Sequence, residues 1–111
     1  MDAAIVELLL ARGAKVNLKD NDDFTALMFA SEQGHLEVVN VLLTQRANPN
    51  AINGSKYCTA LIMASYKGHF AVVDALLQAG ADPGIAKKSG ETALIIASKH
   101  LSMMILRVVG C

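Results

Sequence analysis

The chain repeats one stretch of sequence almost three times at a fixed spacing. "TALMFASEQGHLEVVNVLL" at residues 25–43 returns as "TALIMASYKGHFAVVDALL" at residues 59–77, and "TALIIASKH" begins a third copy at residue 92. The threonines that open the copies are 34 and 33 residues apart, so the period is 33 with one residue inserted between Asn50 and Thr59. A period of this length is typical of a stacked array of short structural units.

A threonine stands at the start of each copy, before an Ala-Leu pair. Its hydroxyl can accept a hydrogen bond from the free backbone N–H groups of a first helical turn, so each threonine is predicted to cap a short helix. The predicted helices, which we call first helices, cover residues 26–33, 60–67 and 93–100.

A glycine–histidine pair follows the first two of these helices. Gly34 and Gly68 can adopt the left-handed conformation that ends a helix. His35 and His69 are predicted to open a second helix by capping or packing, and apolar residues then recur at three- and four-residue steps along one face. In the third copy Leu101-Ser102 replaces the pair, which leaves a turn there unpredicted.

Each second helix leads into a loop with a polar tip, reached through Asn-Pro or Asp-Pro in two of the copies, so a unit is predicted to be helix, turn, helix and hairpin loop. Helices this short fall below the ~12 residues at which an isolated helix is even marginal in water, so stacking must supply their stability. Arg46 occupies the position held by Gly13 and Gly80, where a positive φ is expected.

The two complete copies resemble ankyrin repeats, whose pattern combines a Thr-Pro-Leu-His helix start with Gly-His, Leu-Glu-Val-Val, Leu-Leu and Gly-Ala-Asp-Val-Asn. The resemblance implies an all-α solenoid in a single domain over residues 1–111. Its expected units are a partial repeat at 1–19, a repeat at 20–52, a repeat with the insertion at 53–86 and a truncated repeat at 87–111. Where the family has histidine in the helix start, this chain has Met28, Ile62 and Ile95, which predicts apolar packing there.

Composition and charge exclude several classes of protein. Apolar residues make up 53% and charged residues 18%, which is typical of a packed globular chain. Ten basic residues balance ten acidic ones, so no net positive field favours nucleic acid or anionic lipid. No run is apolar enough for membrane insertion. Cys58 and Cys111 are too few for a secreted disulfide scaffold, and no signal peptide is recognised, so reduced thiols in a cytoplasmic or nuclear protein are expected.

The residues that could carry chemistry give no positive sign of an enzyme. The run Asp20-Asn21-Asp22-Asp23 resembles the start of a calcium loop but lacks the later ligands, so it is interpreted as a solvated tip. Cys58, His69 and Asp74 could form a thiol nucleophile with its base, yet His69 stands at a structural helix start. No phosphate loop or metal-spaced cluster is present in the sequence, so no catalysis, metal or cofactor is expected.

The predicted function is a protein–protein interaction module, with the alternative of a structural spacer in a longer array that has no ligand of its own. The large apolar Phe24, Ile52 and Tyr66 are expected at exposed positions, which favours binding. The resemblance places contacts with a partner protein or extended peptide on a concave face made by the loop tips and the first helices. The expected contact residues are Asn21, Asp22, Phe24, Glu32, Gln33, Ile52, Ser55, Lys56, Tyr66, Lys67, Lys88, Lys99 and His100.

The two ends of the chain differ in charge and in polarity. Residues 1–33 hold six acidic against three basic side chains, a net of −3, and residues 86–111 hold four basic against one acidic, a net of +3. This asymmetry favours a partner of mixed charge. The apolar segment at 103–109 is expected to be covered by neighbouring repeats or by self-association.

Overall fold

The computed structural model describes the backbone of residues 3–106 and the side chains of residues 3–99, and this part consists of α-helices without a β-strand. The helices α2, α4 and α6 stack in one layer, and α1, α3 and α5 stack in a second layer. Within a unit α2 contacts α3, and α4 contacts α5, which confirms the predicted all-α solenoid. The bounds are α1 Ala3–Ala11, α2 Ala26–Gln33, α3 Leu36–Thr44, α4 Ala60–Lys67, α5 Phe70–Gln78 and α6 Ala93–Leu106.

The threonine caps and the glycine ends lie where the sequence predicts them. The hydroxyl oxygens of Thr25, Thr59 and Thr92 accept from the backbone N–H three residues later at 3.3, 3.2 and 3.4 Å. Gly34 and Gly68 take left-handed conformations with φ of 74° and 77°. All three first helices therefore start where the local sequence predicts, and α2 and α4 also end there.

The third unit differs from the expectation, and the two histidines lie at the predicted helix starts without capping them. Helix α6 runs without interruption to Leu106 rather than ending at residue 100, because no glycine is present to turn the backbone there. His35 and His69 occupy the helix-start positions, but neither side chain makes a capping hydrogen bond. His69 Nε2 instead lies 2.9 Å from the carbonyl oxygen of Glu32, so this histidine joins one unit to the next.

A backbone hydrogen bond joins the first and last residues of each loop tip. The second closure spans five positions where the first and third span four, so the inserted residue lies inside the second tip. The residue just before the closing carbonyl has a positive φ in all three: 62° at Asp23, 59° at Tyr57 and 92° at Gly90. The closing bonds join Asp20 N to Phe24 O at 2.9 Å, Asn53 N to Cys58 O at 2.8 Å, and Lys87 N to Glu91 O at 2.8 Å.

Two asparagines tie consecutive loops together. The amide oxygen of Asn17 accepts from the backbone N–H of Asn48 at 2.7 Å, and Asn50 accepts from Asp82 in the same way at 2.7 Å. Each asparagine also donates through Nδ2 to a backbone carbonyl of the next loop, Asn17 to Arg46 O at 3.4 Å and Asn50 to Gly80 O at 3.3 Å. These bonds satisfy backbone groups just beyond the second helices and set the distance between units.

The burial of equivalent residues in the first helices depends on the position of the helix in the stack. Met28 and Ile62 are buried, as the apolar replacement of the family histidine predicts, but Ile95 at the same position in the last unit is exposed. Leu27 and Leu61 are likewise buried. The final unit has the same local sequence but fewer covering helices.

We expect Leu61→Ala to lower the free energy of unfolding by about 2 to 5 kcal/mol, because it opens a cavity in a unit that contacts neighbours on both sides. Leu94→Ala is the matched control, since Leu94 holds the same position in the last unit and is largely exposed. Urea unfolding of both variants checks this, and similar losses for the two would contradict the stacking explanation.

Arg46 has the expected positive φ, 67°, where Gly13 and Gly80 have 97° and 95°. A left-handed non-glycine residue costs about 1 to 2 kcal/mol. Glycine avoids this strain but loses more backbone entropy on folding, which offsets part of the stabilisation. Arg46→Gly should therefore stabilise the fold by about 0.5 to 1 kcal/mol. Gln45→Gly, at an ordinary φ of −89°, should destabilise it, so opposite shifts in thermal unfolding are expected.

Candidate functional site

The loop tips and the first helices form one surface of the stack, which we call the tip surface. It comprises tips 20–24, 53–58 and 87–91 with the exposed side chains of α2, α4 and α6. Neighbouring tips are joined directly: Asn53 Nδ2 donates to Asp22 O at 3.0 Å, and the backbone N–H of Lys88 donates to Lys56 O at 2.9 Å. The tips are therefore fixed relative to one another by the fold.

A cleft of about 270 Å³ lies between the first two tips. Both sides are polar, with carboxylates on the first tip and a lysine and a serine on the second. Five predicted contact residues come together there, and Asp23 and Asn53 complete the lining; the predicted five are Asn21, Asp22, Phe24, Ser55 and Lys56.

The acidic run of the first tip shapes its own turn. The carboxylate of Asp20 accepts from the backbone N–H groups of Asp22 and Phe24, both at 2.9 Å. These bonds leave Asp22 exposed at the mouth of the cleft. The run therefore serves as the predicted solvated tip, and no group of His, Cys, Asp or Glu side chains suited to a metal ion is present among the described residues.

Asn53 is the residue of this site that sequence reasoning missed. It is buried, and its amide oxygen accepts from Ser55 N at 3.2 Å, Ser55 Oγ at 2.9 Å and Lys56 N at 3.1 Å. Together with its bond to the first tip, it holds two of the predicted contact residues in place. The Asn53-Gly54 dipeptide, which is typical of tight turns, was the available signal.

The expectation of exposed large apolar side chains is wrong for Phe24, Ile52 and Tyr66. All three are half-buried, and Phe24 and Tyr66 pack against the core. The exposed aromatic residue of α2 is instead Phe29, whose ring centroid lies 5.0 Å from that of Phe24. Comparison of the repeats does not predict that Phe29 is exposed, because Met63 and Ile96 at the same repeat position are buried.

The remaining contact candidates lie farther along the tip surface. Gln33 and Lys67 are exposed at the ends of the first helices, and the Lys67 ammonium lies 5.9 Å from the ring centroid of Tyr66. Glu32 is half-buried, and Lys88 is exposed on the third tip. The side chain of His100 and the segment 103–109, as sites of contact or self-association, lie outside the described side chains.

Lys99 is engaged within the chain. Its ammonium lies 3.1 Å from a carboxylate oxygen of Glu91, which joins the third tip to α6. The hydrogen bond from Lys99 lowers the pKa of Glu91 below its ordinary value. A lowered carboxyl pKa stabilises the folded state above the unfolded pKa, and this contribution is lost as pH falls through the folded pKa. The pair is solvent-exposed, so the effect is small.

The groups considered for thiol chemistry are buried or occupied. Cys58 is wholly buried, so its thiol does not reach the surface where a nucleophile would meet a substrate. The His69 ring packs against Gly34 and is hydrogen-bonded to the backbone carbonyl of Glu32, so it serves as a packing residue.

None of the described helices combines the length and the apolarity that crossing a bilayer requires.

These features define a helical repeat solenoid that presents a polar, fixed tip surface. A model described as ankyrin repeats (3 copies) matches residues 2–53, and one described as ankyrin repeats (many copies) matches residues 45–97. The chain belongs to the ankyrin repeat family. Ankyrin repeats are in general protein–protein interaction modules without catalytic function.

Several known proteins share part of this sequence. Human ankyrin repeat domain-containing protein 63 is 43% identical over 53 residues, which is 48% of this chain and 14% of that protein. A putative ankyrin repeat protein of Acanthamoeba polyphaga mimivirus is 42% identical over 48 residues, which is 43% of this chain and 12% of that protein. A probable E3 ubiquitin-protein ligase of rice is 52% identical over 44 residues, which is 40% of this chain and 8% of that protein. The chain thus matches only a small part of each relative.

Asn53→Ala should loosen the second tip, because it removes the acceptor shared by Ser55 and Lys56 and the bond to the first tip. We expect a loss of about 1 to 3 kcal/mol in the free energy of unfolding and faster amide hydrogen exchange at Lys56. Asn21→Ala, on the exposed first tip, is the control and should leave both unchanged. Unchanged exchange at Lys56 in Asn53→Ala would refute the role given to Asn53.

Proposed function

We propose that this chain binds a partner protein or an extended peptide on the tip surface. The observation that carries the proposal is the cleft between the first two tips, which gathers five expected contact residues. Its lining is fixed by bonds that use mainly backbone atoms and the buried Asn53. A surface that is ordered before binding loses less conformational entropy on association.

The chemistry of the tip surface favours a partner with both charged and apolar groups. Asp22 and Lys56 face the same cleft from opposite tips, so a partner segment there can pair with both signs of charge. Phe29 adds an exposed aromatic ring on the adjoining helix α2. Aromatic rings of this kind often supply a large share of binding energy.

The overall asymmetry of charge should orient the partner along the stack. The acidic Asp22 and Glu32 lie toward the first unit, and Lys88 lies on the last tip. A basic segment of the partner is therefore expected at the first unit and an acidic segment at the last. Such long-range attraction acts mainly on the rate of association.

The partner should be isolated by affinity purification with this chain and then tested as a purified protein. We expect Lys88→Glu to slow association by about tenfold at low salt, with the effect shrinking as salt is added. Phe29→Ala should mainly raise the dissociation rate, because it removes buried apolar contact. Surface plasmon resonance at several salt concentrations measures both rates.

Lys15→Glu is the matched control, because it makes the same change of charge at an exposed position outside the tip surface. It should alter association much less than Lys88→Glu does. If all three variants bind like the parent, the tip surface is not the binding site. A chain that retains no partner under conditions where it is folded would favour the spacer alternative.

A further inference from the structure

The second loop tip carries a bulky residue at a position where the backbone favours a small one. In each tip the residue before the closing carbonyl is left-handed, and Tyr57 holds this position with a φ of 59°, where the neighbouring tips have Asp23 and Gly90. Glycine adopts this conformation without a steric penalty, and aspartate adopts it more readily than most residues. A tyrosine there is an outlier, so the fold tolerates Tyr57 rather than requiring it.

Backbone hydrogen bonds hold Tyr57 in this conformation. Its N–H donates to Asn53 O at 2.7 Å, and the carbonyl of the next residue, Cys58, accepts from Asn53 N at 2.8 Å. The preceding N–H, that of Lys56, donates to the buried side chain of Asn53 at 3.1 Å. None of these three bonds uses the Tyr57 side chain, so a glycine can close the tip equally well.

The Tyr57 side chain is 46% exposed, whereas Phe24 and Tyr66 on the same surface are half-buried and pack against the core. The second tip has the first tip on one side and the third on the other, and it is hydrogen-bonded to both through Asn53 and Lys56. The exposure of Tyr57 is therefore that of a tip with both neighbours in place.

Basic side chains lie close to Tyr57 along the chain and across the tips. Lys56 precedes it, and the backbone N–H of Lys88 in the third tip donates to Lys56 O at 2.9 Å. Both lysines are exposed. The acidic residue of the third tip, Glu91, is paired with Lys99. The surface between the second and third tips thus combines an exposed aromatic ring with basic groups, which complements apolar and acidic side chains.

We propose that Tyr57 is the aromatic anchor of the tip surface, and that it contacts an apolar side chain of an extended acidic segment whose carboxylates pair with Lys56 and Lys88. This inference rests on the proposed function of the tip surface and adds the residue and the partner chemistry. Residues in unfavourable backbone conformations are concentrated at functional sites, where they persist because the surrounding structure fixes them. Tyrosine also provides a large contact area with few rotatable bonds, so it loses little conformational entropy on binding.

The proposal predicts that folding and binding respond differently to the loss of the ring. Tyr57→Gly should unfold at a temperature no lower than the parent, because glycine relieves the left-handed strain, yet it should bind more weakly. Arg46→Gly is the matched control, since it makes the same change at a φ of 67° outside the tip surface. It should be stabilised and bind like the parent. Tyr57→Phe keeps the ring and should bind nearly as tightly as the parent.

The probe is a displayed library of random peptides selected on the immobilised parent chain. Enriched peptides are synthesised and titrated by fluorescence anisotropy against the parent and each variant, and thermal unfolding is measured for the same proteins. We expect the enriched sequences to place an apolar residue beside Asp or Glu. Their dissociation constants should rise about tenfold or more for Tyr57→Gly, which is the loss typical of an anchor residue.

Two failures are distinguished by Lys88→Glu. Peptides that bind Lys88→Glu more weakly but bind Tyr57→Gly like the parent would overturn the role of Tyr57 and leave the proposed function standing. Peptides that bind both variants like the parent, or a library in which no sequence is enriched, would overturn both. Enriched peptides that are basic contradict the partner chemistry, and a clear fall in the unfolding temperature of Tyr57→Gly contradicts the strain argument.

Discussion

The fold depends on the covering of each first helix by helices from outside it. Leu27, Leu61 and Leu94 follow the same Thr-Ala pair, yet the first two are buried and the third is largely exposed. Since the local sequence is the same, the difference comes from the second helix that packs on α2 and on α4, which α6 does not have within the described part of the chain. Burial of one leucine contributes about 1.5 to 3 kcal/mol, and helices of eight residues are not stable alone. Each unit is thus stable only as part of the stack.

Most of this frame could be predicted from the sequence, because its signals are local or periodic. The threonine caps, the left-handed glycines and the positive φ of Arg46 depend on a few adjacent residues. The period identifies equivalent positions even where residues change. The continuous α6 could not be derived this way, because the absence of Gly-His indicates only that the usual turn is missing. The role of His69 depends on Glu32, 37 residues away, and periodicity alone does not reveal such a contact.

The candidate site was less predictable because exposure is a property of the assembled stack. Five of the residues that the family resemblance predicts as contacts line one cleft, but Phe24 and Tyr66 pack against the core. Half-burial of an aromatic ring at a loop or helix end depends on the exact approach of the next unit. Asn53 was missed for a different reason: it is polar and lies in a turn, so composition predicts it at the surface. Its burial follows from the four hydrogen bonds that satisfy it.

The bonding of the tips explains how one frame can present different binding surfaces. The tips close through backbone N–H and carbonyl groups, and the contact between the second and third tips also joins backbone atoms, Lys88 N and Lys56 O. Backbone bonds do not require particular side chains, so Lys56 and Lys88 can change without loss of the frame. Asn53 is the exception, because its side chain fixes both its own tip and the first one. Substitutions at Asn53 are therefore expected to alter the frame and the tip surface together, whereas substitutions at the two lysines are expected to change the chemistry of the tip surface and leave the frame intact.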